Sequence, residues 1–382
     1  MRKPLICIVL IFILFCSTFS HISSKQIYPF TEENKESYSY FSYENMTILL
    51  KQLQENNSDI MDLYSIGKTY EKRDIWLVKI SDNVTNDEDE PGVLLMGAHH
   101  GCEKASYEVL IHYILHLLGN YSKVDFDDDF DGFINEDNID GLDNDLDGLI
   151  DEDPSESRVR TIINSSQIFI IPMVNPDGVN ASTRKNCEPN FGSFGLRKKI
   201  TSIGVDLNRN YGYKWYSWFI RPWYYLLDSQ IRDSDTLYRG EKPFSENETK
   251  AVKRFVERRN ISVSLSFHGY MKCIMYPWWN SMLPTRDEDL FISVGSNMSN
   301  ICSMPLLGRN YFFGYRGTTG TSEDWLYAKH GILSFCVELD NPNWLNDTKP
   351  FFVQQIGVNL YICEKVKEIN TNQKNLLEKR MI

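Results

Sequence analysis

The sequence predicts an α/β fold built around one sheet of apolar strands with helices between them. Residues 92–97 form a short apolar run that ends in glycine, which is typical of a buried strand, and residues 105–118 continue with helical periodicity. Residues 261–267 alternate polar and apolar side chains, as a second strand does. With 382 residues and 42% hydrophobic composition, the chain can bury one large core.

A histidine and a glutamate follow the first strand at the spacing of a metal-ligand pair. His100 and Glu103 lie in Gly-Ala-His-His-Gly-Cys-Glu, and His268 ends the second strand. Open α/β sheets bind ligands at the carboxyl ends of their strands, so we expect these side chains to meet there. Two imidazoles and one carboxylate leave the fourth position of a zinc ion to water, as in hydrolases. Alone, the pair is weak evidence, since this spacing more often marks a solvated helix end or a hydrogen-bonded core histidine.

Three further segments accompany the ligand pair along the chain. Residues 168–178 read Ile-Phe-Ile-Ile-Pro-Met-Val-Asn-Pro-Asp-Gly, residues 204–211 read Gly-Val-Asp-Leu-Asn-Arg-Asn-Tyr, and residues 335–339 read Phe-Cys-Val-Glu-Leu. They resemble, in the same order, segments of the zinc metallocarboxypeptidases, the carboxypeptidase A-like or funnelin family. The resemblance implies one catalytic domain over residues 40–368, with a mixed, mostly parallel, twisted central sheet and helices on both faces.

The resemblance also implies the catalytic groups. Asp206 matches the residue that accepts a hydrogen bond from the first zinc histidine, although a turn or cap carboxylate is the alternative. Glu338 matches the general base that deprotonates the zinc-activated water and later protonates the leaving amine. Arg197 matches the arginine that stabilises the developing oxyanion, and the alignment there also permits Lys198.

Substrate recognition follows from the same resemblance. Asn208 and Arg209 match the pair that captures the terminal carboxylate of a peptide, which suits the planar guanidinium of arginine. This pair distinguishes an exopeptidase from an endopeptidase, and the alternative for Arg209 is a surface ion pair. Two positions depart from the family pattern: Cys102 replaces a substrate-contacting arginine, and Tyr315 lies one residue from the expected place of the family's mobile tyrosine. Either the loop carries one extra residue, in which case Tyr315 takes the tyrosine role, or that role is altered; we assign it to Tyr315.

An acidic residue occupies the position that lines the base of the specificity pocket in this family. Glu323 stands beside Asp324 in Thr-Ser-Glu-Asp-Trp. A carboxylate at the base of the pocket would pair with a C-terminal Lys or Arg side chain, so we predict a preference for basic C-terminal residues. In the alternative interpretation, Glu323 points to solvent.

The two ends of the chain differ in composition from the predicted domain. Residues 1–24 have the basic start, the apolar run and the small, polar stretch of a secretory signal peptide. The apolar run is shorter than a helix that spans a bilayer. A short segment, 25–39, follows, and residues 369–382 form a polar C-terminal tail. After the signal, six cysteines remain, an even number that permits up to three disulfides in an oxidising compartment.

An acidic insert at residues 125–154 contains two copies of Asp-x-Asp-x-Asp-Gly, sixteen residues apart. Alternate carboxylates in such a loop converge on one hard cation, which predicts calcium. Residues 125–153 hold fourteen Asp and Glu and no Lys or Arg, so the net charge of −12 is concentrated in the insert. A disordered acidic linker is the alternative. The predicted ligands are Asp127, Asp129, Asp131, Asp137, Asp143, Asp145, Asp147 and Asp153.

These observations predict a secreted zinc carboxypeptidase that acts on peptides or proteins with a free C-terminus. Zinc is the catalytic cofactor and calcium a structural one, with no nucleic-acid partner and no membrane span after signal removal. Two alternatives remain open: a cell-wall amidase or endopeptidase on the same zinc site, and a catalytically silent calcium-binding surface protein. The sequence does not determine the oligomeric state.

Overall fold

The structure is a computed structural model, and the part that it describes begins at Tyr40. The predicted export signal and the acidic insert, with all eight calcium-ligand candidates, lie outside the residues that it describes. The described residues are 40–121, 158–187, 190–192, 199–202, 204–215, 238–279, 281, 283–308, 318–340 and 348–381.

Eight strands of the described chain form one mixed sheet, in the spatial order β1-β2-β4-β3-β7-β10-β8-β9, and two short strands, β5 and β6, pair separately. The central strands β4, β3, β7 and β10 are parallel, while β1, β2 and β8 pair antiparallel to their inner neighbours. The predicted fold class is confirmed. The strands are β1 (Met61–Lys68), β2 (Asp74–Ile80), β3 (Gly92–Met96), β4 (Gln167–Ile171), β5 (Asn190–Gly192), β6 (Lys199–Ser202), β7 (Ile261–Gly269), β8 (Cys273–Met275), β9 (Leu306–Leu307) and β10 (Leu333–Leu339).

Helices cover both faces of this sheet. One face carries a core cluster that includes Leu94, Phe169, Val252 and Trp325. Two other helices, the one that directly follows β3 and the last helix of the described chain, pack on strands β3 and β7. The helices of the described residues are α1 (Tyr43–Asn56), α2 (Ala105–Asn120), α3 (Arg158–Ile163), α4 (Pro176–Ala181), α5 (Asn247–Val256), α6 (Glu288–Cys302), α7 (Ser322–His330) and α8 (Thr348–Met381), and a 3-10 turn lies at Leu207–Arg209.

The central strand β7 is buried on both faces, and its alternating serines are therefore inside the protein. Ser262, Ser264 and Ser266 are each at most 3% exposed. The strand itself was predicted, but its alternation of polar and apolar residues is typical of a half-exposed strand. Because a buried hydroxyl needs a hydrogen-bond partner, these serines are candidates for polar contacts within the core.

Helix α8 continues through the residues predicted as a polar tail. Gln373 donates hydrogen bonds from Nε2 to the carbonyl oxygens of Ser262 and Gly331, at 3.2 and 2.8 Å. This part of the helix is thus attached to the start of β7 and to the end of α7. None of the described helices has both the length and the apolar composition that crossing a bilayer requires.

The six cysteines after residue 24 all have free thiols in the structure. Cys102 is exposed, and the other five are buried. Burial raises the pKa of the Cys273 and Cys363 thiols to about 12, so these groups stay protonated.

The carboxyl ends of strands β3, β7 and β10 bring the predicted catalytic segments together at one end of the sheet. Met96, at the end of β3, pairs with Ser266 of β7, and His268 pairs with Glu338 of β10. A close backbone contact holds the loop after β3: a Cβ on Gly101 would lie 1.9 Å from the carbonyl carbon of Gly178, in the Asn-Pro-Asp-Gly turn. Gly101 is therefore required where that turn packs beneath the ligand loop.

Candidate active site

Three predicted metal ligands converge in a buried site. Nδ1 of His100 lies 2.8 Å from Oε1 of Glu103, Nδ1 of His268 lies 3.1 Å from Oε2 of Glu103, and the two Nδ1 atoms lie 3.2 Å apart. With zinc bonds of roughly 2.0 to 2.1 Å, donors around one tetrahedral ion are separated by about 3.3 Å. Both the spacing and the chemistry of these donors fit one zinc ion.

The electrostatics of the three side chains also suit a cation. Burial by itself would raise the pKa of Glu103, but the adjacent imidazoles of His100 and His268 lower it well below its usual range. Glu103 is therefore an anion at neutral pH, as a carboxylate ligand must be.

Asp206 lies behind the first histidine, as predicted. Its Oδ1 is 3.0 Å from Nε2 of His100, the ring nitrogen that faces away from the convergence point. Burial would raise the pKa of Asp206, yet the charges of Arg184 and His100 hold it well below its usual range. Asp206 precedes the 3-10 turn but makes no side-chain cap bond, which argues against the cap alternative. This contact orients His100 with Nδ1 toward a metal.

Arg184 is an important residue that the sequence reasoning missed. Its Nε and Nη2 lie 2.9 and 2.8 Å from Oδ2 of Asp206, and its Nη1 lies 3.5 Å from Oε1 of Glu103. The side chain as a whole is 28% exposed, and its guanidinium contacts both a metal-ligand candidate and the carboxylate behind His100. A signal was available, because Arg184 follows the Asn-Pro-Asp-Gly turn that packs under Gly101. Arg197 and Lys198, the predicted candidates for the oxyanion role, lie outside the described residues.

Glu338 lies beside His268 across the β7–β10 pair. Its Oε2 is buried and has no hydrogen-bond partner among the described residues. Burial raises the pKa of Glu338, and the charge of Glu103 acts in the same direction, whereas His268 opposes the shift. A desolvated carboxylate with a free oxygen is a better proton acceptor than an exposed one.

The predicted carboxylate-binding pair occupies the 3-10 turn after Asp206. Asn208 is buried, and its Oδ1 accepts hydrogen bonds from the backbone N and the Oγ of Ser322 at 2.8 and 3.0 Å. Arg209 is partly buried and donates from Nη1 to the carbonyl oxygen of Asn208 at 2.6 Å. Burial lowers the pKa of Arg209, and Asp206 opposes that shift. Within the described residues, no carboxylate lies within ion-pair distance of this guanidinium, although the charge of Asp206 acts on it.

Glu323 is completely buried, which contradicts the alternative that it points to solvent. It lies in the first turn of α7, and neither carboxylate oxygen has a hydrogen bond within the described part of the chain. Its Oε1 is 3.9 Å from Nε2 of His268. Tyr315, the other predicted residue of the substrate end, lies outside the described residues.

Comparison with known proteins agrees with this arrangement. Residues 46–355 match the family described as zinc carboxypeptidase. A zinc carboxypeptidase of Saccharothrix mutabilis subsp. capreolus is 25% identical over 312 residues, which cover 78% of this chain and 62% of that protein. Carboxypeptidase O of Bos taurus is 24% identical over 346 residues, covering 87% of this chain and 78% of the relative. The chain thus spans less than two thirds of the length of the first relative.

Solved structures show the same fold. The crystal structure of thrombin-activatable fibrinolysis inhibitor superimposes with a TM-score of 0.64 at 20% identity, covering 86% of this chain and 74% of the other. Carboxypeptidase A from Helicoverpa armigera gives a TM-score of 0.60 at 22% identity, with coverage of 86% and 72%. At these identities the likeness concerns the fold alone.

Proposed function

The chain belongs to the zinc carboxypeptidase family, and from that premise we propose that it hydrolyses the last peptide bond of peptides or proteins with a free C-terminus. One observation carries the proposal: His100, Glu103 and His268 converge beside a desolvated Glu338 and a partly exposed Arg184. This arrangement brings a metal site, a base and a cation together at the carboxyl ends of the central strands.

Zinc is the cofactor that the family implies, and His100, Glu103 and His268 would hold it. Once bound, zinc supplies Lewis acidity, which lowers the pKa of a water molecule to about 7 and polarises a carbonyl oxygen. The chain orients His100 through Asp206, and it keeps Glu103 ionised.

Glu338 acts as the general base in this proposal. Its unbonded Oε2 accepts the proton of the attacking water, and the protonated carboxyl then delivers that proton to the leaving amine. Burial raises its pKa and moves it toward the working pH, where a base of this kind is most effective.

A guanidinium stabilises the negative charge that develops on the scissile carbonyl oxygen. Arg184 is suited to this role, because Asp206 fixes two of its nitrogens while Nη1 remains beside Glu103. A fixed cation that needs no rearrangement contributes most in the transition state. The family resemblance assigns the oxyanion role to Arg197, and separate variants of Arg184 and Arg197 distinguish the two.

In this proposal the C-terminal carboxylate of the substrate binds Asn208 and Arg209, and Asn208 also connects the 3-10 turn to Ser322 through its Oδ1. Arg209 carries a guanidinium without an ion pair in the described chain, and the carboxylate would supply that partner. Tyr315 and Glu323 shape the substrate end. A basic C-terminal side chain would give the buried, unbonded carboxylate of Glu323 a charged partner, which supports a preference for Lys or Arg.

Matched peptides that end in Arg, Phe or Glu, each with a free or an amidated C-terminus, test this function. We expect cleavage of the free peptides only, fastest for Arg, with loss of activity on addition of a zinc chelator. Equal cleavage of the amidated peptides would refute carboxylate capture and favour the amidase or endopeptidase alternative. Fastest cleavage of the Glu peptide would refute the proposed role of Glu323 alone.

Two further proposals come from the sequence. Residues 1–24 direct secretion and are removed, so that the mature enzyme acts outside the cell. The acidic insert at 125–154 binds calcium through its two Asp-rich loops and has a structural role. N-terminal sequencing of the exported protein checks the first proposal, and isothermal titration with calcium checks the second.

A further inference from the structure

The second zinc histidine needs a hydrogen-bond acceptor on its outer nitrogen. His268 points Nδ1 toward the metal site, so in the neutral, metal-binding tautomer its Nε2 carries the proton. For His100 the acceptor is Asp206. Around Nε2 of His268 lie Ser266 Oγ at 3.1 Å, Asn208 Nδ2 at 3.2 Å and Glu323 Oε1 at 3.9 Å.

Of these three groups, Ser266 is the one that can accept the proton. The oxygen of the Asn208 amide is occupied by Ser322, so its nitrogen faces His268, and an amide nitrogen only donates. Glu323 is beyond hydrogen-bond distance. The hydroxyl of Ser266 can accept from His268 and still donate its own hydrogen elsewhere.

That hydrogen has one partner in the described structure, the ring of His99. Ser266 Oγ lies 3.3 Å from Nδ1 of His99, and Nε2 of His99 lies 2.9 Å from the hydroxyl of Tyr211. If Nδ1 accepts from Ser266, the proton of neutral His99 is on Nε2 and donates to Tyr211. Ser266, His99 and Tyr211 are at most 1% exposed, and the His99 ring stacks on His268 at 5.5 Å between centroids.

We propose that Ser266, His99 and Tyr211 form a relay that fixes the tautomer and the ring orientation of His268 for zinc binding. They are positioning residues, because none of them lies at the convergence of the ligand atoms. The relay does for His268 what Asp206 and Arg184 do for His100. The inference rests on the zinc site of the proposed function and goes beyond it, since it concerns residues that hold a ligand and not the ligand set itself.

The test compares two serines on the same strand. Ser266→Ala removes the acceptor, whereas Ser264→Ala removes an equally buried hydroxyl that has no hydrogen bond within the described chain. Zinc affinity is measured on the full chain by competition with a chelating dye, and thermal melting of the zinc-free proteins reports the fold. We expect S266A to bind zinc about 10- to 100-fold more weakly, the usual effect of losing such a contact, and S264A to match wild type. Cobalt-substituted S266A should show a shifted visible spectrum.

A double variant tests whether the residues act in series. His99→Phe keeps a ring on His268 but removes both nitrogens, and we expect it to weaken zinc binding to a similar degree. If the relay is one unit, the double variant of S266A and H99F loses no more zinc affinity than the single variant that binds zinc less tightly. Should H99F fail to fold, Tyr211→Phe replaces it, with an expected loss of about 2- to 10-fold for one neutral hydrogen bond.

The outcomes separate this inference from the proposed function. Wild-type zinc affinity in S266A, equal losses in S266A and S264A, or additive losses in the double variant would each overturn the relay. If the wild-type chain binds no zinc, the proposed function itself fails.

Discussion

Replacing the buried Glu248 with Gln is predicted to stabilise the protein at pH 8 and to leave its stability nearly unchanged at pH 4. Glu248 is fully buried in the first turn of α5, where Oε1 accepts from the backbone N of Tyr70 at 3.0 Å and Oε2 from Nδ2 of Asn186 at 3.4 Å. Burial raises the pKa of Glu248 from 4.5 to about 7, and the negative charges of Glu246 and Asp177 add to the shift.

The sign and size of the effect follow from this pKa. Below pH 4.5 both the folded and the unfolded chain carry the proton, so the site makes no pH-dependent contribution. As the pH rises from 4.5 to 7, the unfolded chain releases its proton while the folded chain keeps it, and stability falls by about 1.4 kcal/mol per pH unit. Above pH 7 the accumulated loss is about 3 kcal/mol, an upper estimate that Glu248→Gln would remove because an amide is never ionised.

Thermal melting of wild type and E248Q at pH 4, 6 and 8, with zinc held equal, measures this difference. We expect coincident melting temperatures at pH 4 and a gap that grows to about 5 °C in favour of E248Q at pH 8. Glu257→Gln, at the position that caps the C-terminal end of α5, is the matched control, since its contact with Lys253 at 3.7 Å is exposed and contributes about 0 to 1 kcal/mol. A gap that does not change with pH would refute the reasoning.

Further predictions concern the site and the insert. Replacing the oxyanion-stabilising arginine with Met should lower kcat/KM about 100- to 1000-fold. If Arg184 has this role, Arg184→Met shows the loss and Arg197→Met does not. A loss in Arg197→Met alone would instead support the assignment of Arg197 from the family resemblance. Asp206→Asn should weaken zinc binding about 10- to 100-fold in a chelator competition, and unchanged affinity would exclude its role behind His100. Calcium at 100 times its Kd should stabilise the protein by about 2.7 kcal/mol and protect residues 125–154 from proteolysis, whereas melting and digestion indifferent to calcium would contradict the calcium loops.

The framework of the site could be predicted because it depends on local pattern. The strand that ends near Met96 and the helix from Ala105 both appear in the apolar periodicity, and His100 and Glu103 lie between them. Parallel pairing then places His268 beside Glu338, one strand further along the sheet. Strand ends and motif spacing were sufficient for these positions.

Other parts of the site depend on contacts that a linear pattern does not contain. Arg184 follows the Asn-Pro-Asp-Gly turn in the sequence, but its contacts with Asp206 and Glu103 are seen only in the folded chain, where that turn packs against Gly101. The burial of Ser266 depends on the coverage of both faces of β7, which its alternating pattern does not indicate. A charged residue in the first turn of a helix does not by itself indicate burial, so the burial of Glu323 was expected from the family resemblance and not from the local pattern.

The replacement of Glu338 with Gln tests the central claim most directly. The exchange keeps the shape of the side chain and removes the proton acceptor, while the three zinc ligands stay intact. Zinc content and hydrolysis of a peptide with a free C-terminal Arg are measured on the same preparation. The account predicts one zinc per chain with a kcat that falls by about 100- to 10,000-fold, the usual contribution of a general base. A kcat close to that of wild type in zinc-loaded E338Q would contradict it.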